Sequence, residues 1–203
     1  MAWRSEERIH TNRAFGGILL RLSGRGQSPK WLRAASGAPF GKHRPNLPQI
    51  GSRHVLLGTG RFRLGDVKGA EEILAQAATL APDSVEVRMQ LGFVHLNRGR
   101  AKEAQACFRA AIRAKPNLGE AWFNLGLSLG ADTNHRAESM AAFREAIRLK
   151  PNLIEAYLGL AVILRAEGQK EKSAYELRRA LSLQPEEPLR QKLLDQLKLV
   201  EQP

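Results

Sequence analysis

The side chains best suited to metal binding or nucleophilic attack are few in this sequence. Its five histidines are scattered, at His10, His43, His54, His95 and His135. No two of them are closer than 11 residues, so none forms the short-spaced histidine pair typical of zinc sites. The only cysteine is Cys107, which excludes an intrachain disulfide and a cysteine cluster. The sequence therefore predicts no metal site.

Catalytic candidates are equally weak. A cysteine attacks as the thiolate, and no partner base is evident near Cys107. The glycine-rich stretch 58–66, GTGRFRLGD, resembles a phosphate-binding loop only loosely, because it lacks the lysine that such a loop uses. We therefore predict no catalytic residue and no cofactor.

Positive charge is concentrated at the start of the chain. The net charge is +12, and residues 1–50 contribute +7 of it, from nine Lys and Arg against two acids. Three interpretations of residues 1–48 remain open: a disordered tail, a mitochondrial transit peptide, or a segment that binds nucleic acid or an anionic membrane. Glu6 and Glu7 count against the transit peptide, which is normally poor in acids.

The apolar stretches are too short for a membrane span, which needs about 20 residues. One lone cysteine also fits a reducing compartment. We therefore expect a cytoplasmic location, with the mitochondrial matrix as the alternative if residues 1–48 act as a transit peptide.

Several residue types recur with a period of 34 or 35 residues, which is the signature of a repeat protein. Proline recurs at Pro82, Pro116, Pro151 and Pro185. A leucine followed by a small residue recurs at Leu57-Gly58, Leu91-Gly92, Leu125-Gly126 and Leu160-Ala161. Three further columns hold a small residue (Ala70, Ala104, Ser139, Ser173), a large apolar residue (Leu74, Phe108, Phe143, Leu177) and an alanine (Ala77, Ala111, Ala146, Ala180).

Each repeat unit contains two helical halves. Apolar residues at Val87, Leu91 and Val94 share one helix face, and Ala104, Phe108 and Ala111 share another. Proline ends the second helix because it has no N–H group and disfavours helix at the residue before it. A capping box then starts the next unit, at Asp83/Glu86, Asn117/Glu120 and Asn152/Glu155.

The motif WFNLG at 122–126, followed by AAFREAIRLKP at 141–151, resembles the tetratricopeptide repeat family. The resemblance implies an all-α, right-handed solenoid of four helical hairpins with a C-terminal capping helix. The units are residues 51–84, 85–118, 119–153 and 154–187, within a repeat domain of 49–187, and 188–203 is the cap. His95 stands where the family has a packing aromatic residue, which predicts a place in the core.

In this family the first helix of each unit lines a concave groove that holds a peptide. Transferred to this sequence, the resemblance implies peptide-binding roles at Val55, Thr59, Phe62, Met89, Phe93, Leu96, Phe123, Asn124, Leu127, Leu158, Val162 and Arg165.

These positions are mostly apolar. Some family members hold an acidic chaperone tail with Lys and Arg at particular groove positions. Here those positions carry neither, since they hold Val55, Leu56, Glu86, Met89, Gln90, Glu120 and Phe123. We therefore expect a non-catalytic scaffold whose partner is a protein segment with apolar anchors. Self-association, a purely structural role for these side chains, and action through the basic tail on nucleic acid or membrane are the alternatives.

Overall fold

The computed structural model describes residues 47–130 and 132–202, with side chains from residue 52 onward. Within these ranges it contains α-helices, one short 3-10 turn at Thr133–His135 and no strand, which confirms the all-α prediction. The helices are α1 (Leu47–Arg63), α2 (Val67–Leu80), α3 (Val85–Asn97), α4 (Ala101–Ala114), α5 (Gly119–Gly130), α6 (Arg136–Leu149), α7 (Ile154–Ala166), α8 (Lys170–Ser182) and α9 (Leu189–Glu201).

The predicted N-terminal tail lies almost wholly outside the described residues. Only Leu47 and Pro48 of the segment 1–48 are described, and they form the first turn of α1. Proline is tolerated there because the first N–H groups of a helix have no partner within the helix. The predictions of nucleic-acid or membrane binding and of a transit peptide concern residues 1–48 and stay predictions.

The helices pack as consecutive pairs that stack into a solenoid. Each helix contacts the next one along the chain, and α1, α3, α5, α7 and α9 also contact one another in that order. The odd-numbered helices therefore form an inner row and the even-numbered helices an outer row. In the part of the chain that the structure describes, no helix is both long and apolar enough to cross a membrane.

Within each of the first three pairs, a glycine on the inner helix faces a large side chain on the outer helix. A Cβ atom added at Gly92 would lie 2.7 Å from the Phe108 ring, and one at Gly126 would lie 2.8 Å from the Phe143 ring. Real Cβ contacts are essentially never that short, so a larger residue at either position would require the facing ring to shift. The recurring Leu-Gly column is explained by this close approach.

Two serines tie the helices of the later pairs together. Ser139 Oγ donates to the Gly126 carbonyl at 2.7 Å, and Ser173 Oγ donates to the Ala161 carbonyl at 2.8 Å. Both serines are fully buried, so these hydrogen bonds satisfy groups that would otherwise be costly to bury.

The predicted capping boxes are wrong in position. The cap of α3 is Ser84, whose hydroxyl accepts from the Val87 N–H, rather than Asp83. Asn152 is likewise not a cap, because α7 begins after Leu153, which makes no side-chain cap bond. The residues after each proline instead form a turn, in which the Leu153 N–H donates to the Lys150 carbonyl at 3.0 Å. This turn occupies the place that the capping boxes were expected to hold.

Ion pairs join neighbouring units on the outer side. Glu71 of α2 accepts a hydrogen bond from Arg98 and forms an ion pair with Arg100, both in the turn of the next unit. Arg136 of α6 binds Glu167 in the turn after α7 at 2.8 Å. Both connections link an outer helix to the turn of the following unit, so they hold adjacent units in register.

His95 is part of the packed joint between the first two units, as the resemblance implied. Its ring is 12% exposed, and Nδ1 lies 3.6 Å from Glu71 Oε1, which is too far for a hydrogen bond. Burial lowers the pKa of His95, the Glu103 carboxylate opposes that effect, and the Arg98 guanidinium adds to it. The ring is therefore neutral at pH 7.

We predict that His95 makes the array less stable at acid pH. Its folded pKa is lower than the ordinary value of 6.5, so the unfolded chain binds the proton first as the pH falls. The His95 contribution is then lost as the pH falls below about 6.5.

Chemical denaturation of wild type and His95→Leu between pH 5 and pH 8 tests this prediction. Leucine fits because the equivalent positions hold Leu129 and Leu164, both buried. The stability of the variant relative to wild type should increase toward pH 5. His95→Gln, which keeps a polar side chain but cannot titrate, should show the same trend, and a difference that is constant with pH contradicts the assignment.

A concave apolar cleft as the candidate functional site

An open cleft lies on the inner face of the first three helix pairs. Its empty space, open solvent included, is about 780 Å³, and it is lined by side chains of α1, α3 and α5 together with Leu153. The lining residues are Thr59, Phe62, Arg63, Met89, Gln90, Phe93, Glu120, Phe123, Asn124 and Leu153. We refer to this set as the cleft.

Three phenylalanine rings are part of the cleft lining. Phe62 of α1 and Phe93 of α3 meet edge to face, with ring centroids 5.3 Å apart and planes at 71°. Phe123 of α5 is only 2% exposed and contacts Phe143 at a centroid distance of 5.9 Å. Phe62 and Phe93 are therefore partly open walls, whereas Phe123 is the buried floor.

The structure brings together half of the residues that the sequence predicted for the groove. Thr59, Phe62, Met89, Phe93, Phe123 and Asn124 all line the cleft. Val55 lies at its N-terminal edge, in a smaller adjoining pocket that also contains Thr59. The inner face of the first three units is thus open to a ligand.

The predicted groove residues of the fourth unit are placed differently. Leu158 and Val162 are at most 3% exposed, as is Leu127 of the third unit, and they belong to the core cluster that contains Leu189 and Leu193 of α9. All residues from Ala156 to Leu164 are buried. Because α7 is enclosed, these side chains are closed to a peptide and serve as core.

Two further predicted residues are also outside the cleft. Leu96 is partly buried and packs against two core clusters. Arg165 is partly buried, and its Nε atom has no hydrogen-bond partner among the described residues. Neither side chain contributes to the cleft lining.

Asn124 presents an unsatisfied polar atom at the cleft. The residue is 9% exposed, and its Oδ1 is buried without a hydrogen-bond partner within residues 47–130 and 132–202. A buried acceptor without a donor costs about 1–3 kcal/mol. A ligand N–H group that reached this oxygen would remove that cost.

The charges at the cleft are few and lie at its rim. Glu120 accepts a hydrogen bond from Lys150, and this bond lowers the pKa of Glu120, although partial burial opposes the effect. The carboxylate is therefore ionised and already neutralised by Lys150. Arg63 of α1 lies at the opposite rim, so the lining offers no cluster of positive charge for an acidic tail.

Leu153 lines the cleft although the sequence analysis did not predict it. It lies in the joint before α7 rather than on the inner face of a first helix. A signal was present, because the phrase Pro-Asn-Leu stands at the joints before α5 and α7, ending at Leu118 and Leu153, and also occurs at residues 45–47. Both leucines are partly buried.

One catalytic pattern escaped the sequence analysis. Residues 126–130 read GLSLG, which matches the G-x-S-x-G elbow of serine hydrolases. That elbow requires a strand, a sharp turn and a helix, whereas this segment lies entirely within α5. Ser128 is 1% exposed and donates to the Leu125 carbonyl at 2.7 Å. The match to the hydrolase pattern is therefore due to chance, and Ser128 is a packed helix residue.

The remaining chemical candidates do not form a reactive site in the described ranges. Burial raises the pKa of Cys107, the Arg88 guanidinium opposes that effect and the Glu103 carboxylate adds to it, so the thiol is protonated at neutral pH. No three His, Cys, Asp or Glu side chains of the described residues are grouped as a metal site.

The repeated helix pairs and the concave cleft define a helical-repeat scaffold. Two models described as "Tetratricopeptide repeat" match the sequence, one at residues 61–126 and the other at 119–153 and 154–187. These matches span more than half of the chain, so it belongs to the tetratricopeptide repeat family. Proteins of this family are generally scaffolds for protein–protein interaction. No curated protein matches the chain.

Solved structures show the same fold in proteins of varied function. The chain superposes on MamA with a TM-score of 0.63 and 18% identity, over 75% of this chain and 91% of MamA. It is also similar to PilW, a type IV pilus biogenesis factor, with a TM-score of 0.67 and 26% identity, over 75% of this chain and 70% of PilW.

The fold also occurs within an enzyme. An O-GlcNAc transferase from Thermobaculum terrenum matches with a TM-score of 0.63 and 22% identity, over 69% of this chain but only 27% of the transferase chain. Family members are typically non-catalytic, and this neighbour shows that the repeats can also be one part of an enzyme.

We predict that replacing Asn124 with leucine stabilises the free protein. Leucine has a similar size and removes the unpaired acceptor, so the free energy of unfolding should rise by about 1 kcal/mol. Asn97→Leu is the matched control, because Asn97 is an exposed asparagine on the preceding inner helix, and it should change stability by less than about 0.5 kcal/mol. A loss of stability in Asn124→Leu would show that the amide is bonded in the free protein.

Proposed function

We propose that this protein is a non-catalytic scaffold that holds a short segment of a partner protein in the cleft. The main support is that one cleft combines the partly exposed rings of Phe62 and Phe93 with the unpaired Oδ1 of Asn124. Apolar surface and an unused acceptor in one concave site are typical of ligand pockets. The proposed contact residues are those that line the cleft, with Val55 at its edge.

The ligand has apolar side chains and an exposed backbone N–H group. Its apolar side chains pack against Phe62, Met89 and Phe93, and one N–H donates to Asn124 Oδ1. An acidic tail is a poor ligand, because the carboxylate of Glu120 lines the cleft and Lys150 is already paired with it.

The size of the cleft limits the affinity. Each fully buried apolar side chain of the ligand contributes about 1.5–3 kcal/mol, and three such anchors supply about 5–9 kcal/mol. Ordering an extended segment costs several kcal/mol of this gain. Micromolar binding needs about 8 kcal/mol, so the cleft supports weak to micromolar, reversible binding.

The proposal assigns the recognition to the first three helix pairs. The fourth pair and α9 enclose the inner face of α7, as the burial of Leu158 and Val162 shows. Their role in the proposal is to hold α5 and Leu153 in place.

We predict that Phe93→Asp abolishes peptide binding without unfolding the protein. Phe93 is only partly buried, so a carboxylate there remains hydrated in the free protein but is placed against the apolar anchors of a ligand. The probe is a 12-residue peptide selected from a random library on the wild-type protein, and affinity is measured by calorimetry. The dissociation constant should rise at least tenfold, which corresponds to about 1.4 kcal/mol.

Tyr175→Asp is the matched control for this experiment. Tyr175 is a 59% exposed aromatic residue on α8, in the outer row, so this variant should bind like wild type. Helical circular dichroism of both variants establishes that they are folded. Unchanged binding in folded Phe93→Asp excludes the cleft as the binding site.

A further inference from the structure

Arginine recurs in the C-terminal halves of the outer helices α4, α6 and α8. Five of these arginines occupy two columns of the repeat that are four residues apart and therefore share one helix face, and a sixth follows on α8. We refer to the six as the basic band, which consists of Arg109, Arg113, Arg144, Arg148, Arg178 and Arg179. All are exposed except Arg109, which is partly buried. Since stacked units place equivalent residues side by side, the band crosses the outer row from the second unit to the fourth.

The first unit shows that the fold does not require arginine in these columns. Its residues there are Ala75 and Thr79 of α2, both exposed. Helix α2 has no basic residue in its last turn, yet it packs against α1 as the later outer helices pack against their own partners. Stabilisation of a helix C-terminus by positive charge therefore does not account for the band.

The charge of the band is accessible to a ligand. Arg113 and Arg144 form no ion pair with any residue in the described ranges. The other four arginines each pair with one glutamate, and these arginine side chains are 41% to 67% exposed. Exposed ion pairs are weak, so a phosphate group can replace a glutamate as the partner.

An exposed aromatic ring adjoins the band on α8. Tyr175 is 59% exposed and lies one helical turn before Arg178 and Arg179. The Arg179 guanidinium lies over the Tyr175 ring, 5.6 Å from its centroid, and also over the buried Tyr157 ring at 5.0 Å. Arg179 thus holds one side of the Tyr175 ring, and the exposure of Tyr175 leaves room for a second flat group.

We propose that the basic band and Tyr175 bind single-stranded nucleic acid on the outer side of the array. The guanidinium groups bind successive phosphates, because the planar fork of arginine matches the oxygens of a phosphate group. A base stacks on Tyr175. Basic side chains along a path with an aromatic ring beside it are how proteins hold a single strand without reading its sequence.

The arrangement of the band favours a single strand over a duplex or a membrane. Proteins read the major groove of a duplex with one helix or a two-stranded ribbon that enters it, whereas the band runs across three helices. A helix that lies on a membrane carries large apolar side chains beside its basic residues. The column of Tyr175 instead holds exposed alanines in the second and third units, at Ala106 and Ala141.

Binding of a fluorescein-labelled 20-nucleotide oligouridylate to the full-length chain, measured by anisotropy at several salt concentrations, tests the proposal. The band variant carries the residue types of the first unit, as Arg113→Thr, Arg144→Ala and Arg148→Thr. We expect its dissociation constant to rise at least tenfold. The slope of log K against log salt should become shallower by about two, because each phosphate contact of a single strand contributes about 0.7.

The matched control removes three positive charges elsewhere, as Lys68→Gln on α2 with Arg190→Gln and Lys198→Gln on α9. These residues are exposed and form no ion pair with described residues, so the control should bind within about twofold of wild type. Helical circular dichroism establishes that both variants are folded. Equal losses in the two variants, unchanged binding in the band variant, or no binding by wild type would each overturn the proposal.

Tyr175→Ser tests the stacking separately. The dissociation constant should rise about fivefold or more, because the stacking of one base is lost. The salt slope should stay the same, since no phosphate contact is removed. A variant that binds like wild type contradicts the role of Tyr175.

Photocrosslinking locates the strand on the wild-type chain without any substitution. An oligonucleotide that contains 4-thiouridine should crosslink to peptides of α4, α6 and α8, identified by mass spectrometry, and crosslinks confined to residues 1–46 would contradict the proposal. An oligothymidylate of equal length should bind with similar affinity, because neither kind of contact reads the 2′-hydroxyl. Binding to phosphatidylserine vesicles but to neither oligonucleotide would make an anionic membrane the partner and overturn the proposal. The band lies outside the cleft, so this inference does not depend on the proposed function.

Discussion

The close approach of the two helices in each pair is the constraint on which the rest of the structure depends. Gly92 and Gly126 leave room for the rings of Phe108 and Phe143, and a Cβ atom at either position would require those rings to shift. Glycine costs about 1 kcal/mol in a helix interior, so the packing of the buried ring must offset that cost. In the third and fourth pairs a buried serine adds a hydrogen bond at the same crossing.

This constraint also accounts for the position and the limits of the cleft. Tight pairs stack with their first helices on the inside. This places Phe62, Phe93 and Phe123, which lie on three successive inner helices, in one cleft. The cleft ends where α7 becomes enclosed in the core that includes α9. The array therefore has an open half, where Asn124 keeps an unpaired oxygen, and a closed half, where the equivalent face is core.

The fold was predictable because a repeat presents its packing pattern several times. The Leu-Gly and proline columns indicate the helix pairs and their order without reference to any partner. The candidate site was predictable only in part, because a column shows which face of a helix a residue occupies but not what covers that face. Val162 and Phe93 occupy the same column, yet only Val162 is enclosed in the core. Ser84 was missed as the cap of α3 because Asp83 and Ser84 are both residue types that can cap a helix. Only the backbone geometry selects Ser84.

Residue-by-residue mapping of a bound peptide by nuclear magnetic resonance is the most direct test of the central claim that the inner face of the first three pairs is the recognition surface. Amide and methyl signals of the full-length protein would be followed while a library-selected 12-residue peptide is added. The account predicts shifts concentrated in α1, α3 and α5, including the signals of Thr59, Met89 and Asn124. Shifts confined to the outer helices α2, α4, α6 and α8, or to α9, would contradict it.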